Sequence, residues 1–89
     1  MARFSVVIKP SAAKEIEAIS NKKDRQRIVK RIAALGDDPR PPGVQKLSGK
    51  ERYRIREGVY RIIYAIEGRE LVVVVVKVGH RRDVYREGR

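Results

Sequence analysis

Arginines recur at strand-like spacing through one continuous stretch of this chain, from Tyr53 to Tyr85. Arg54 and Arg56 stand two apart, Arg61 follows in the next segment, and Arg81 and Arg82 come near its end, with Tyr60, Tyr64 and Tyr85 interleaved. A guanidinium presents a planar fork of donors that matches the oxygens of a phosphate. A tyrosine can stack on a base or act as a hydrogen-bonding partner. Together they suit a phosphodiester backbone. A ribonuclease that uses the 2′-hydroxyl as nucleophile needs a group to take the 2′ proton, a group to protonate the leaving 5′-oxygen, and charge to stabilise the phosphorane. Arginine supplies the third well and the first two poorly, because it holds its proton near neutral pH.

Other chemistries lack their residues. The chain has no cysteine, which excludes thiol nucleophiles, disulfides and cysteine-based zinc sites. Its one histidine, His80, excludes a two-histidine ribonuclease. Asp37 and Asp38 are adjacent in a proline-rich stretch without a spaced carboxylate set, so neither a metal nor another cofactor is expected. Lysine plus arginine number 22 against 11 acidic residues, a formal charge of +11. That excess points to nucleic acid, an anionic membrane or an acidic protein as partner. Its self-repulsion makes a neutralising partner plausible. The longest apolar run, Leu71 to Val76, is far short of the ~20 residues that span a bilayer, and MARFSVVIKP has no signal-peptide pattern. We therefore expect a cytoplasmic protein.

Each feature also has a plain structural reading. Arg54 and Arg56 can simply blunt an edge strand. Arg61, inside an apolar strand, can snorkel from the sheet. Tyr60 and Tyr64 share a face with Ile62 and suit the core. Arg81 and Arg82 can be a solvated pair, Tyr85 can pack the tail, and His80 can be a turn residue. The functional reading gains weight because the signals fall in one contiguous unit.

The elements that must position these residues follow from periodicity. Eighty-nine residues make one domain, residues 1–89, with one modest core. Phe4 to Ile8 reads as a strand ended by Pro10. Ser11 is a candidate cap for a helix whose stripe is Ala12, Ile16 and Ile19. Asp24 is a candidate cap for a second helix, striped by Ile28, Ile32 and Leu35 and widened by Val29 and Ala33, with Gly36 at its C′ position. Asp37 to Gly49 reads as a loop anchored by Val44 and Leu47. Three strands follow, turning at Glu57-Gly58 and at Glu67-Gly68-Arg69. Alternation puts Tyr53 and Ile55 on one face, and Arg54 and Arg56 on the other. Leu71 to Val78 is apolar nearly throughout, as in a strand covered on both faces, and Gly79 is expected to end it. His80 to Arg89 reads as a polar tail, a loop with a short or frayed helix. The predicted fold is α+β: a strand, a helical hairpin, then a three-stranded antiparallel meander, with the helices on one side of a mostly antiparallel sheet.

At this point the residues resemble a known family. KLSG at Lys46 to Gly49, then YRIR, YRIIY and KVGHRRDVY, match RelE-type toxins of the RelE/ParE toxin–antitoxin superfamily over essentially the whole chain. GHRRDVY is the most specific part; YRIIY is shared across the superfamily. The resemblance implies a RelE-like fold and a metal-independent, ribosome-dependent mRNA endonuclease that cuts in the ribosomal A site. In it the 2′-hydroxyl attacks the adjacent phosphate and leaves a cyclic phosphate. By motif position, Arg54 and Arg56 stand where the best-known member has lysines, Arg61 and Arg81 match arginines of the family site, and Tyr85 matches its C-terminal tyrosine. The implied roles are phosphate binding for Arg54, Arg56 and Arg61, the leaving oxygen for Arg81, and the 2′-hydroxyl for Tyr85. Arg82, Lys46 and Lys77 are further candidate RNA contacts. Arginine in place of lysine keeps charge stabilisation but not proton transfer, so the one histidine, His80, is a candidate acid or base. The implied partners are the ribosome, mRNA and an acidic RelB-like antitoxin. Two other readings stand beside this one: a ParE-like inhibitor of DNA gyrase, and an RNA-binding module without catalysis.

Overall fold

The computed structural model describes residues 3–47 and 51–80. Its elements are β1 (Ser5–Ile8), α1 (Pro10–Glu17), α2 (Lys22–Ala34), β2 (Gln45–Leu47), β3 (Arg52–Glu57), β4 (Tyr60–Glu67) and β5 (Val72–His80). They form one five-stranded sheet in the order β1-β5-β4-β3-β2. β1 runs parallel to β5, and the other pairings are antiparallel. The strand, helical hairpin and meander are those expected from periodicity. Among the described residues, no helix is long and apolar enough to cross a membrane.

The helices bury one face of the sheet. Ala12 and Ile16 of α1 and Ile28 and Ile32 of α2 join Tyr53, Ile55, Ile62, Tyr64, Val73, Val75 and Val78 in a single core, with Ile19 and Leu35 just beyond the helix ends. Val29 and Ala33 do not widen the stripe: both face solvent, Val29 being 50% exposed. α2 touches the sheet along the narrow line of Ile28, Ile32 and Leu35, and side chains one position further round the helix miss it.

Caps and boundaries differ from the expected ones for local reasons. α1 starts at Pro10, one residue before Ser11, and its N-cap, Lys9, makes no side-chain cap bond. Proline has its φ preset for a helix and lacks the N–H that would need capping. α2 is capped by Asn21, whose Oδ1 accepts from the backbone N–H of Asp24 at 3.1 Å; Asp24 sits in the first turn. There its charge complements the helix dipole. The expected loop from Asp37 to Gly49 contains β2, a three-residue strand paired with β3, and Leu47 lies opposite Arg52, away from the core. A run of three residues is too short for alternation to reveal.

β5 departs most usefully from expectation. Leu71 is a turn residue with φ 55° rather than the strand's first residue, and the strand runs on through Gly79 to His80. A bulge interrupts its ladder with β4: Tyr64 pairs with Val75 and Ile63 with Lys77, so Val76 is the extra residue. An extra residue reverses the alternation. Val73 and Val75 face the core before the bulge and Val78 after it, while Gly79 comes opposite Arg61 and His80 opposite Tyr60. β1 pairs with β5 only as far as Val75, leaving the next stretch of edge without a strand. Glu15 of α1 fills that place. Its Oε1 accepts from the Val78 N–H at 2.9 Å, and its Oε2 meets Lys77 Nζ at 2.6 Å.

Gly36 follows the α2 C-cap, but its φ is not positive. Glycine is required there by crowding. Its carbonyl accepts from the Phe4 N–H at 2.8 Å, and a Cβ would stand 2.9 Å from the Phe4 carbonyl oxygen. Gly36→Ala should therefore destabilise the fold by about 2 kcal/mol, the usual cost of overpacking, measured by urea unfolding. Tyr64 is fully buried, its hydroxyl donates to the Pro39 carbonyl at 2.6 Å, and burial pushes its pKa up from 10.0 to about 12. A raised folded pKa gives stability that is whole below pH 10 and is lost as pH rises toward about 12. Tyr64→Phe should cost about 1 kcal/mol at neutral pH, the worth of the hydrogen bond. It should also show a smaller stability loss than the parent across that alkaline range, measured by urea unfolding at stepped pH.

Candidate nucleic-acid interface

The face of the sheet turned away from the helices carries a row of arginines. Arg52, Arg54 and Arg56 alternate on β3 with the buried Tyr53 and Ile55. Arg61 on β4 lies directly opposite Arg56, and Gly79 flanks it on β5. Arg52 is the member that the sequence pattern did not bring forward, though extending the period-2 alternation by one step would have found it. Arg54 donates through Nη2 to Gln45 Oε1 on β2, which ties it to the sheet edge. Beside the arginines the same face is apolar, with Ile63, Ala65 and Val74 half-buried and Val7 exposed.

Arg61 is the exceptional residue. It is only 5% exposed, so it does not snorkel. Its Nη1 donates to the Tyr60 carbonyl at 3.4 Å, a long contact, and its buried Nε has no hydrogen-bond partner. Among the described residues no carboxylate forms an ion pair with it. A buried, under-satisfied cation is costly, and a like charge directly across the ladder adds to the cost. Glycine on the other flank puts no side chain there. The arrangement suits an anion that supplies acceptors to Arg61 and charge to its neighbours.

The other candidates separate by face. Lys46 pairs with Tyr53, which turns it to the helix side, and its Nζ meets Glu51 at 3.2 Å. Lys77 is engaged by Glu15 and its side chain is 19% exposed. His80 is set edge-on to Tyr60, with ring centroids 6.2 Å apart, on the side opposite Arg61. Tyr53 and Tyr64 stack in the core at 5.8 Å, and Arg40 covers Tyr53 and donates to its hydroxyl at 3.2 Å. Arg81, Arg82 and Tyr85 lie outside the described residues. So Arg52, Arg54, Arg56 and Arg61 come together on one face, while Lys46, Lys77 and His80 do not join them. That face can bind a phosphodiester and stabilise charge on phosphorus; its described residues offer no proton carrier.

Comparison with known proteins places this arrangement in a family. The family model described as ParE toxin of type II toxin–antitoxin system, parDE, matches residues 6–85. The chain belongs to the RelE/ParE superfamily of type II toxins. It is 30% identical over 87 residues to an Escherichia coli protein named for its likeness to RelE toxins, covering 93% of this chain and 90% of that one. The fold matches archaeal RelE from a RelE–RelB complex of Pyrococcus horikoshii with a TM-score of 0.79 at 28% identity, over 91% of this chain and 97% of that one. It matches the isolated Escherichia coli RelE toxin with a TM-score of 0.75 at 27% identity, over 96% and 94%. The toxin's helical hairpin, mixed sheet and meander are thus those of solved RelE structures.

If Arg61 is kept for its ligand rather than for the fold, removing its charge should stabilise the free toxin. Arg61→Met should raise stability in urea unfolding by about 1 kcal/mol, because it removes the desolvation cost of a buried charge that has no ion-pair partner among the described residues. It should weaken binding to a short RNA by about tenfold, the worth of a hydrogen bond to a charged group. Urea unfolding and RNA titration at fixed salt read the two effects, which have opposite signs.

Proposed function

We propose that this toxin is a ribosome-dependent mRNA endonuclease that cuts in the A site without a metal, and that a RelB-like antitoxin holds it in check. The observation that carries the reading is Arg61, buried and under-satisfied between Arg56 and Gly79 on a face with two further arginines. In the reaction the 2′-oxygen forms a bond to phosphorus and the bond from phosphorus to the 5′-oxygen breaks. The products are a 2′,3′-cyclic phosphate and a 5′-hydroxyl. One proton leaves the 2′-hydroxyl and one reaches the 5′-oxygen. Arg52, Arg54, Arg56 and Arg61 hold the phosphate and offset the added charge. By family analogy Arg81 faces the leaving oxygen and Tyr85 the 2′-hydroxyl. Guanidinium groups carry protons poorly, so the toxin depends on the ribosome to position the message in a reactive geometry. The solved RelE–RelB complex supports the antitoxin assignment by analogy.

The family model, which is named for ParE, favours one other reading, inhibition of DNA gyrase. Primer extension on an mRNA translated by bacterial ribosomes separates the two. The nuclease reading expects cuts that keep reading-frame register, require ribosomes and fall by about a hundredfold in Arg61→Ala, the scale of losing one transition-state donor. An intact message, together with loss of supercoiling by gyrase, would establish the ParE-like reading.

A further inference from the structure

A second cationic site lies on the helix side of the same hairpin. Arg27, Lys30 and Arg31 stand at i, i+3 and i+4 on α2, so they share one face of the helix. With Ala34 and Glu57 they line a pocket of about 260 Å³. Three cations against one carboxylate leave the ionisable wall at an excess of positive charge. Like charges at this spacing destabilise a bare helix, so the cluster costs the fold something.

Arg31 makes the pocket more than a solvated patch. Its Nε is buried and has no hydrogen-bond partner. Glu57 Oε1 stands 3.9 Å away, near enough to attract the charge and too far to accept a hydrogen bond. Arg27 has only an i,i+3 contact with Asp24 at 4.0 Å and is mostly exposed, a pair of little worth. The pocket wall therefore includes a guanidinium with an unused buried donor, two further cations and one competing carboxylate.

We propose that this pocket binds a phosphate of an RNA backbone, distinct from the RNA held at the arginine face. Size supports a phosphate-scale ligand, since sites for whole small molecules begin near ~300 Å³. A guanidinium fork beside a second and third cation matches the oxygens of a phosphate. An acidic protein segment fits less well, because a protein interface needs an apolar anchor at its centre and this wall offers only Ala34. Place argues for a separate strand of RNA. Glu57 pairs with Tyr60 and alternates with Arg56, so the pocket opens on the helix side while Arg54, Arg56 and Arg61 face the other way. The β3–β4 hairpin would thus be held between two phosphate chains.

The test is NMR of the arginine Nε–Hε signals in the full chain at constant ionic strength. The probes are inorganic phosphate, a twelve-nucleotide RNA and a glutamate-rich peptide. The Arg31 signal should move saturably with phosphate and with the RNA. Glu57→Gln should tighten phosphate binding about two- to fivefold, because it removes a competitor worth about as much as an exposed ion pair. A gain of binding cannot come from misfolding. In a second set of RNA titrations at stepped salt, Arg27→Gln with Lys30→Gln should lower the slope of log affinity against log salt by about 0.7 for each phosphate no longer neutralised. Arg56→Gln should leave the Arg31 shift in place, which separates this site from the proposed nuclease site whatever the outcome of cleavage assays. No saturable shift with phosphate, or unchanged affinity in Glu57→Gln, would reduce the Arg31–Glu57 pair to a strut. A response to the glutamate peptide without one to RNA would overturn the proposal in favour of an acidic protein partner.

Discussion

The phase of the β5 ladder is the constraint on which the rest of this molecule depends. Val76 is inserted between the pairs Tyr64–Val75 and Ile63–Lys77. Without it Val75 and Val78 would point to opposite faces. With it both reach the core, and Gly79 arrives opposite Arg61, so that β5 sets no side chain across from the guanidinium. β1 stops short of the end of β5, and there the missing partner comes from α1: Glu15 accepts from Val78 and holds Lys77. One carboxylate joins the helix layer to the strand that flanks the arginine face. The same contact explains why Lys77, which looks in the sequence like part of the basic set, is withdrawn from it.

Around that frame the molecule carries charge it does not neutralise. A net charge of +11 on 89 residues is a standing repulsion. The folded structure concentrates it further, setting Arg56 opposite Arg61 and leaving guanidinium nitrogens of Arg31 and Arg61 buried without hydrogen bonds. Small domains have little stability to give away. Such features are most economically understood as sites whose missing acceptors come from another molecule. The helices and the Tyr53–Tyr64 stack supply the compensating core on one side of the sheet only.

Membership of the RelE/ParE superfamily fixes the architecture and the type II toxin class. The target is decided by side chains, because one fold serves both a nuclease and a gyrase inhibitor. The arginine face argues for phosphate chemistry through its geometry: four guanidinium groups on adjacent strands, one of them buried, beside a glycine. Tyr64 is already committed to the core, with its proton held by burial and its hydroxyl given to Pro39.

Much of this was legible in the chain. Two helical stripes, Ala12–Ile16–Ile19 and Ile28–Ile32–Leu35, fixed the hairpin, because a 3.6-residue period leaves few other folds. Alternation in YRIR and YRIIY put Arg54, Arg56 and Arg61 on a common face, because side chains in a strand alternate strictly. The family motifs gave the toxin class. Other features required the assembled structure. β2 is too short to show a period. The role of Gly36 depends on Phe4, a contact between residues distant in sequence. The bulge at Val76 is invisible in a run of five valines, where every register looks equally apolar, and it decides which face His80, Lys77 and Gly79 take. The depth of Arg61 was also undetermined, since a strand pattern gives direction and not burial. The sequence by itself determined which side chains share a strand face. The tertiary structure decided which of them are buried and what stands across from them, because burial and pairing are set by neighbouring strands and helices and not by a residue's own position in its strand.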